Sequence, residues 1–360
     1  MESDPVLVVG ASGIAGQAVV RHLVARGRPV IALTRGRNAV PGSGADGVQE
    51  VQADLLDADA LREALRDVRP GSVVFTAWMR QDTEAENIAI NSATVRNLLA
   101  AVSPAGSVRH VSLMTGLKHY LGPFESYGTG VRAETPFRED EPRMSVPNFY
   151  YAQEDELFAA AERDGFSWSV HRAHTVFGFA TGNAMNIALT LGAYAAICRE
   201  TGQPFVYPGS STQWNGLTDV TDADLLAEQL VWALDAPTAR NEPFNIANGD
   251  VFRWRWMWPR IAELLDVEPE GFEGAPRPLE PRLSGIDTDV WPRIAERHGL
   301  VQPDIGRLAS WWHTDADLGR DIECLTDMTK SRAAGFLGFR DSFESFRHAI
   351  DAYRSAGVLP

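Results

Sequence analysis

Short, continuously apolar runs alternate with longer stretches of helical character through the first third of the chain, at 6–9, 14–26, 29–33, 51–53, 58–68, 72–76, 87–102 and 108–113. This alternation predicts successive βαβ units. Val6-Leu7-Val8-Val9 has no polar residue at any position, so the strand it predicts is covered by helices on both faces, as strands of a parallel sheet are. Gly27 is placed to close the first helix in a left-handed conformation, and Pro29 resumes extended chain. The expected class is α/β, a Rossmann-type doubly wound parallel sheet.

Past about residue 120 the rhythm loosens. A loop rich in Pro and Glu (135–147) leads to a helix over 149–163 and a strand over 168–172. Thr221 reads as a helix N-cap with Asp224 three residues on, and 244–247 reads as another strand. The stretches 181–210 and 250–360 are mostly helical and carry Trp254, Trp256, Trp258, Trp311 and Trp312. The pattern therefore predicts a dinucleotide-binding domain over 1–180 to which 211–249 returns, and a smaller, mostly helical substrate-side domain from 181–210 and 250–360.

Composition narrows the classes. Hydrophobic residues are 44% and charged residues 22% of 360, which fits a folded globular protein. No run of 18 apolar residues occurs, and Met1-Glu2-Ser3-Asp4-Pro5 lacks the marks of a signal peptide, so no membrane partner and a cytoplasmic location are expected. The net charge of −15 would repel a phosphate backbone, which argues against nucleic acid. Cys198 and Cys324 are far apart and lack metal-ligand spacing, so they predict two buried thiols and no metal.

Gly10-Ala11-Ser12-Gly13-Ile14-Ala15-Gly16 falls directly between the first strand and the first helix. In such a turn one glycine reverses the chain, one lets the backbone approach a pyrophosphate, and one allows helix to pack on strand, with Ser12 and Ile14 beside the anion. The spacing is GxxGxxG, and its position between strand and helix is what makes it a nucleotide site. The second strand ends at Thr34, not at the carboxylate that would take an NAD ribose, and Arg35 and Arg37 follow. A guanidinium suits a 2′-phosphate, so NADP(H) is the expected cofactor. Asp54 and Leu55 after the third strand are expected to flank the adenine, and Thr76, Ala77 and Trp78 after the fourth to line the ribose and diphosphate.

Reductases on this fold commonly carry a tyrosine four residues before a lysine on one helix, but no YxxxK occurs here. Lys118 offers a lysine from another element, in the segment TGLKHYLGPFESYG at 115–128. That segment, together with Asn148-Phe149-Tyr150-Tyr151, Glu154-Asp155, His171-Arg172, Val176-Phe177-Gly178-Phe179, Tyr207-Pro208-Gly209, Asn248-Gly249-Asp250-Val251-Phe252 and the late Gly335-Phe336-Leu337-Gly338-Phe339-Arg340, resembles the progesterone 5β-reductase/iridoid synthase-like enone reductases. These form an atypical branch of the extended short-chain dehydrogenases.

The resemblance implies that Lys118 and Tyr150 are the catalytic pair, both also touching the nicotinamide half of the cofactor. It further implies that Phe124, Tyr127 and Trp78 line the substrate pocket, and that Val176 lies beside the nicotinamide. The implied reaction is NADPH-dependent 1,4-reduction of an enone or enal, a small-molecule substrate. A 1,2-carbonyl reductase, a sugar-nucleotide epimerase and a non-catalytic NADP(H)-sensing module are the alternatives. Analogy with the fold suggests a homodimer. Two departures from the family pattern, Met114 and the run Ala180-Thr181-Gly182-Asn183-Ala184, lie near the expected pocket and bear on which enone fits. His119 and His174 are expected to be hydrogen-bonded structural residues.

Overall fold

The computed structural model describes residues 4–36, 40–44, 47–123 and 134–360. They fall into two compact units, one of 1–174, 224–246 and 327–338, the other of 175–223, 247–326 and 339–360.

The first unit contains β1 (Val6–Val9), α1 (Ile14–Ala25), β2 (Val30–Thr34), β3 (Val48–Gln52), α2 (Ala58–Ala64), β4 (Ser72–Phe75), α3 (Glu84–Val102), β5 (His110–Gly116), α4 (Lys118–Leu121), α5 (Phe149–Asp164) and β6 (Ser167–Ala173). After the excursion into the second unit, α8 (Ala223–Asp235), β10 (Glu242–Ile246) and α13 (Thr329–Ala333) complete it. Seven strands pair in parallel in the order β10-β6-β5-β4-β1-β2-β3. The order reverses between β1 and β4, and the crevice beyond the carboxyl ends of those two strands is where an open α/β sheet takes its ligand.

Strand alternation separates the two sheet faces. Leu7, Val9, Val73, Phe75, Val111, Leu113 and Val170 form one apolar layer with residues of α2, α3 and α5. The opposite face of β5 and β6 is polar and fully packed. His110 bonds Ser167 and Ser169 through its two ring nitrogens (2.9 Å each), and His171 bonds Ser169 (2.9 Å) and Gln229 of α8 (2.8 Å). Burial holds both imidazoles neutral, His110 down to about 3 with His171 adding repulsion, and His171 down to about 4 against the hydrogen bond its Nδ1 donates to the Gln229 amide oxygen.

The second unit contains β7 (Val176–Phe177), α6 (Ile187–Thr201), β8 (Phe205–Val206), α7 (Ser211–Asn215), β9 (Thr221–Asp222), α9 (Trp254–Leu264), β11 (Pro269–Glu270), α10 (Leu279–Leu283), α11 (Asp287–His298), α12 (Trp311–Leu318) and α14 (Ser342–Ser355). Its core is built on Tyr194, Phe205, Trp254, Trp258, Trp291, Phe346 and Tyr353. Cys198 and Cys324 are both buried thiols.

Three sequence expectations shift. β3 begins at Val48, earlier than expected, because its edge position leaves Gln49 and Glu50 exposed and breaks the apolar signal. α3 begins at Glu84, where Thr83 and Glu86 form a reciprocal capping box that pulls polar residues into the helix. Thr221 is not an N-cap: it is fully buried in β9, pairing with Val176, and α8 starts at Ala223. Gly27 does turn left-handed after α1, with φ +66°. Among the described residues no helix is long and apolar enough to cross a membrane, and no cluster of His, Cys, Asp and Glu could hold a metal ion.

Candidate active site

The glycine turn occupies the reversal point of the sheet. Gly10 follows β1 with φ +79°, and its carbonyl accepts the Gly13 N–H at 2.9 Å. Gly13 caps α1 in extended conformation without a side-chain capping bond, so the helix start presents backbone N–H groups and, with no acidic residue in its first turn, a positive dipole end. A Cβ on Gly16 would collide with the Gly10 carbonyl, and one on Gly10 would come within 3.1 Å of Ala77. The Gln17 side chain donates to the Ser12 carbonyl (2.9 Å) and fixes the loop, and Ile14 is buried at the helix start. This cradle, which side chains would fill, fits a pyrophosphate.

Thr34 ends β2 buried, its Oγ1 accepting the Gly36 N–H at 3.0 Å, and Arg35 next to it is exposed with Nη1 4.0 Å from the Met79 sulfur. Asp54 is exposed and its carboxylate accepts the Leu56 N–H (3.0 Å), while Leu55 packs on the apolar layer. Thr76 anchors the end of β4 on the Val9 carbonyl through both its N–H (3.0 Å) and Oγ1 (2.8 Å). Beyond it, Asn91 holds both backbone groups of Met79 at 2.8 Å, which sets the loop carrying Ala77 and Trp78.

Lys118 and Tyr150 come from separate elements, the single turn α4 and the first turn of α5. Lys118 is buried, with its Nζ 4.8 Å from the Phe149 ring centroid. The Phe149 ring also meets Trp78, stacked at 5.8 Å, and Tyr150 at 4.2 Å. Tyr150 is half-buried and reaches back over the end of β5: a Cβ on Gly116 would lie 3.1 Å from its hydroxyl. Tyr151 points elsewhere, since its hydroxyl donates to the His119 carbonyl and accepts the Met144 N–H (3.1 Å). Burial pushes the Tyr151 phenol up.

Beneath this pair the layer between α5 and the sheet turns polar. Glu154, 2% exposed, is bonded by Arg143 (2.8 Å) and flanked by His119 (3.8 Å) and Arg172 (4.0 Å). Burial pushes its carboxyl up while the Arg172 and Arg143 guanidiniums oppose that. His119 is held neutral, down to about 3, by burial and by Arg172. Tyr120 donates to Asn245 (2.6 Å) and accepts from Arg172 (3.1 Å), and burial pushes it up to about 12.

Phe124, Tyr127 and Arg37 lie outside the described residues. Val176 opens β7 in the second unit, half-buried. Sequence reasoning gave no role to Phe149, which touches Lys118, Trp78 and Tyr150 together, or to Asn148, whose side chain bonds both the Lys118 carbonyl (2.6 Å) and the Tyr150 N–H (3.0 Å). The polar Asn directly before a helical run was the available signal for the second.

An open parallel sheet with a glycine cradle at its reversal point, Lys118 just past the end of β5 and the Tyr150 hydroxyl over Gly116 point to a Rossmann-fold oxidoreductase of the short-chain dehydrogenase kind. Residues 40–360 match the PRISE-like Rossmann-fold domain, and the chain belongs to that family. It is 39% identical to 3-oxo-Delta(4,5)-steroid 5-beta-reductase of Arabidopsis thaliana over 98% of this chain and 92% of that one. It is 38% identical to an (S)-8-oxocitronellyl enol synthase of Camptotheca acuminata, over 98% and 93% respectively. The progesterone 5β-reductase/iridoid synthase-like resemblance read from the motifs is thereby borne out. Solved structures share the fold at lower identity: a UDP-glucose 4-epimerase of Thermus thermophilus in complex with NAD (20% identical, TM-score 0.67, 98% of this chain and 99% of that one) and an epimerase of Methanothermobacter thermautotrophicus (16%, TM-score 0.72, 98% and 93%).

Proposed function

We propose that this protein reduces the C=C bond of an α,β-unsaturated ketone or aldehyde, with NADPH as the hydride source. The observation that supports the reading is the Tyr150 hydroxyl lying over Gly116, two residues before Lys118 at the end of β5, on a chain whose relatives include a 3-oxo-Delta(4,5)-steroid 5-beta-reductase. The glycine cradle and the uncapped start of α1 would hold the pyrophosphate, with Thr76 and Ala77 alongside, and Arg35 would take the 2′-phosphate. When bound, the cofactor supplies a hydride.

The chain's own residues do the rest. As the β-carbon gains a hydride, negative charge develops on the carbonyl oxygen, and the Tyr150 hydroxyl is the donor that meets it. The Lys118 ammonium favours the ionised form of that phenol and so makes it a better proton donor. The product forms when a proton from solvent reaches the α-carbon, and a proton lent by the phenol to the oxygen then returns to Tyr150, so that one hydride and one proton are added in all. Phe149 and Trp78 supply apolar walls that keep water from the developing charge.

A panel of cyclic and linear enones, enals and saturated ketones, assayed by NADPH oxidation, tests the reading. Turnover of the enones to saturated ketones supports it. Turnover confined to the saturated ketones, or none in a protein that binds NADPH, overturns it.

A further inference from the structure

We infer that Asn148 is the positioning residue that sets Lys118 against Tyr150, an inference that rests on the proposed roles of those two. Where tyrosine and lysine share a helix four residues apart, helix geometry fixes their separation. Here they sit on different elements, and α4, which carries Lys118, is one turn of four residues ended by Gly122 at φ +72°. A turn so short has no intrinsic rigidity and takes its placement from outside bonds.

Tyr151 holds the carbonyl of the next residue, His119, and Asn148 supplies the bond made at Lys118 itself. Asn148 is 3% exposed and extended (φ −154°, ψ 124°), as an N-cap is, and its Oδ1 accepts the Tyr150 N–H at 3.0 Å. The Nδ2 of the same amide donates to the Lys118 carbonyl at 2.6 Å. One planar group thus clamps the backbones of both residues. Glu84 takes the neighbouring Phe149 N–H at 2.7 Å, so the two N–H groups opening α5 have separate acceptors, and only the Asn148 one reaches α4. Asn is also the one N-cap side chain that both accepts and donates here; Ser is too short to span to the carbonyl, and an Asp carboxylate cannot donate to it.

The test uses Asn148→Ser and Asn148→Asp, both of which keep a good N-cap and should fold. Displacement of the pair is expected to lower kcat for a reducible enone by about tenfold or more in each variant, with KM for the enone nearly unchanged. Because Lys118 acts on the Tyr150 phenol through space, the kcat pH profile should shift with it. In Asn148→Asp the carboxyl can donate once protonated, so the deficit should narrow toward acid pH while that of Asn148→Ser does not. If both variants keep the wild-type kcat and pH profile while Tyr150→Phe is inactive, the positioning role is wrong and the catalytic reading stands. If Tyr150→Phe itself keeps the wild-type rate, the catalytic reading falls and the inference with it.

Discussion

The Tyr150 hydroxyl rests against Gly116, close enough that a single methyl group on that α-carbon would stand 3.1 Å from the phenol oxygen and 2.7 Å from the Ala173 carbonyl. Glycine at 116 is therefore a condition of the site's geometry as much as of its packing. Gly116→Ala should push the tyrosine aside and strain the β5/β6 end, at a stability cost of about 1–3 kcal/mol. Enone turnover by the folded protein should fall more than about tenfold. Steady-state kinetics with a thermal melt measures both, and an unchanged kcat would mean that the hydroxyl does not act from this position.

Adjacent tyrosines should behave in opposite ways. Tyr150→Phe removes the proposed donor and is expected to lower kcat by about a hundred- to a thousandfold with little change in melting temperature. Tyr151→Phe removes a hydroxyl bonded to the His119 carbonyl and the Met144 N–H, leaving those groups unpartnered. It should cost about 1–3 kcal/mol of stability and leave kcat close to wild type. Kinetics and denaturant melts on the two variants check the pair, and a reversed pattern would exchange their roles.

Cofactor choice should turn on Arg35. It is exposed beside Thr34, where a carboxylate would otherwise favour NAD. Arg35→Ala is expected to weaken NADPH binding by about ten- to a hundredfold, the worth of a charge-assisted contact, and to leave NADH binding nearly unchanged. Fluorescence titration with both cofactors reads this directly; equal losses for the two would show that Arg35 does not meet the 2′-phosphate.

Acid should destabilise the fold through its buried histidines. His110 and His119 are held down to about 3 and His171 to about 4, chiefly by burial, whereas in the unfolded chain each protonates near 6.5. The unfolded state therefore binds more protons below about pH 6.5, and stability that is full above that pH falls as pH drops toward the folded values, by about 1.4 kcal/mol per unit for each histidine. The melting temperature should fall between pH 7.5 and 5, and His171→Gln should flatten that dependence. A melt independent of pH across the range would contradict it.

Much of this was legible in the sequence where the signal is local. The run Val6–Val9, the glycine turn and α1 follow from a few consecutive residues, and the segment around Lys118 and the Asn148-Phe149-Tyr150-Tyr151 run carried the family likeness. The unread parts depend on partners far along the chain. Asn148 reaches Lys118 thirty residues away, and Phe149 owes its central place to contacts with both Trp78 and Lys118. Composition around β5 and β6 gave no hint that their second face holds a histidine and serine network, because each polar residue taken singly resembles a surface position. Thr221 departs from its sequence pattern for a related reason: an N-cap pattern is local, but pairing with Val176, 45 positions earlier in the chain, decides its structure.

The position of transferred hydride tests the central claim most directly. With NADPH carrying deuterium at C4 in the transferred position and an enone that the protein turns over, the account predicts deuterium on the β-carbon of a saturated ketone or aldehyde, and the same labelled product formed about a hundred- to a thousandfold more slowly when Tyr150 is replaced by Phe. Deuterium on a carbinol carbon, with the C=C bond intact, would contradict it.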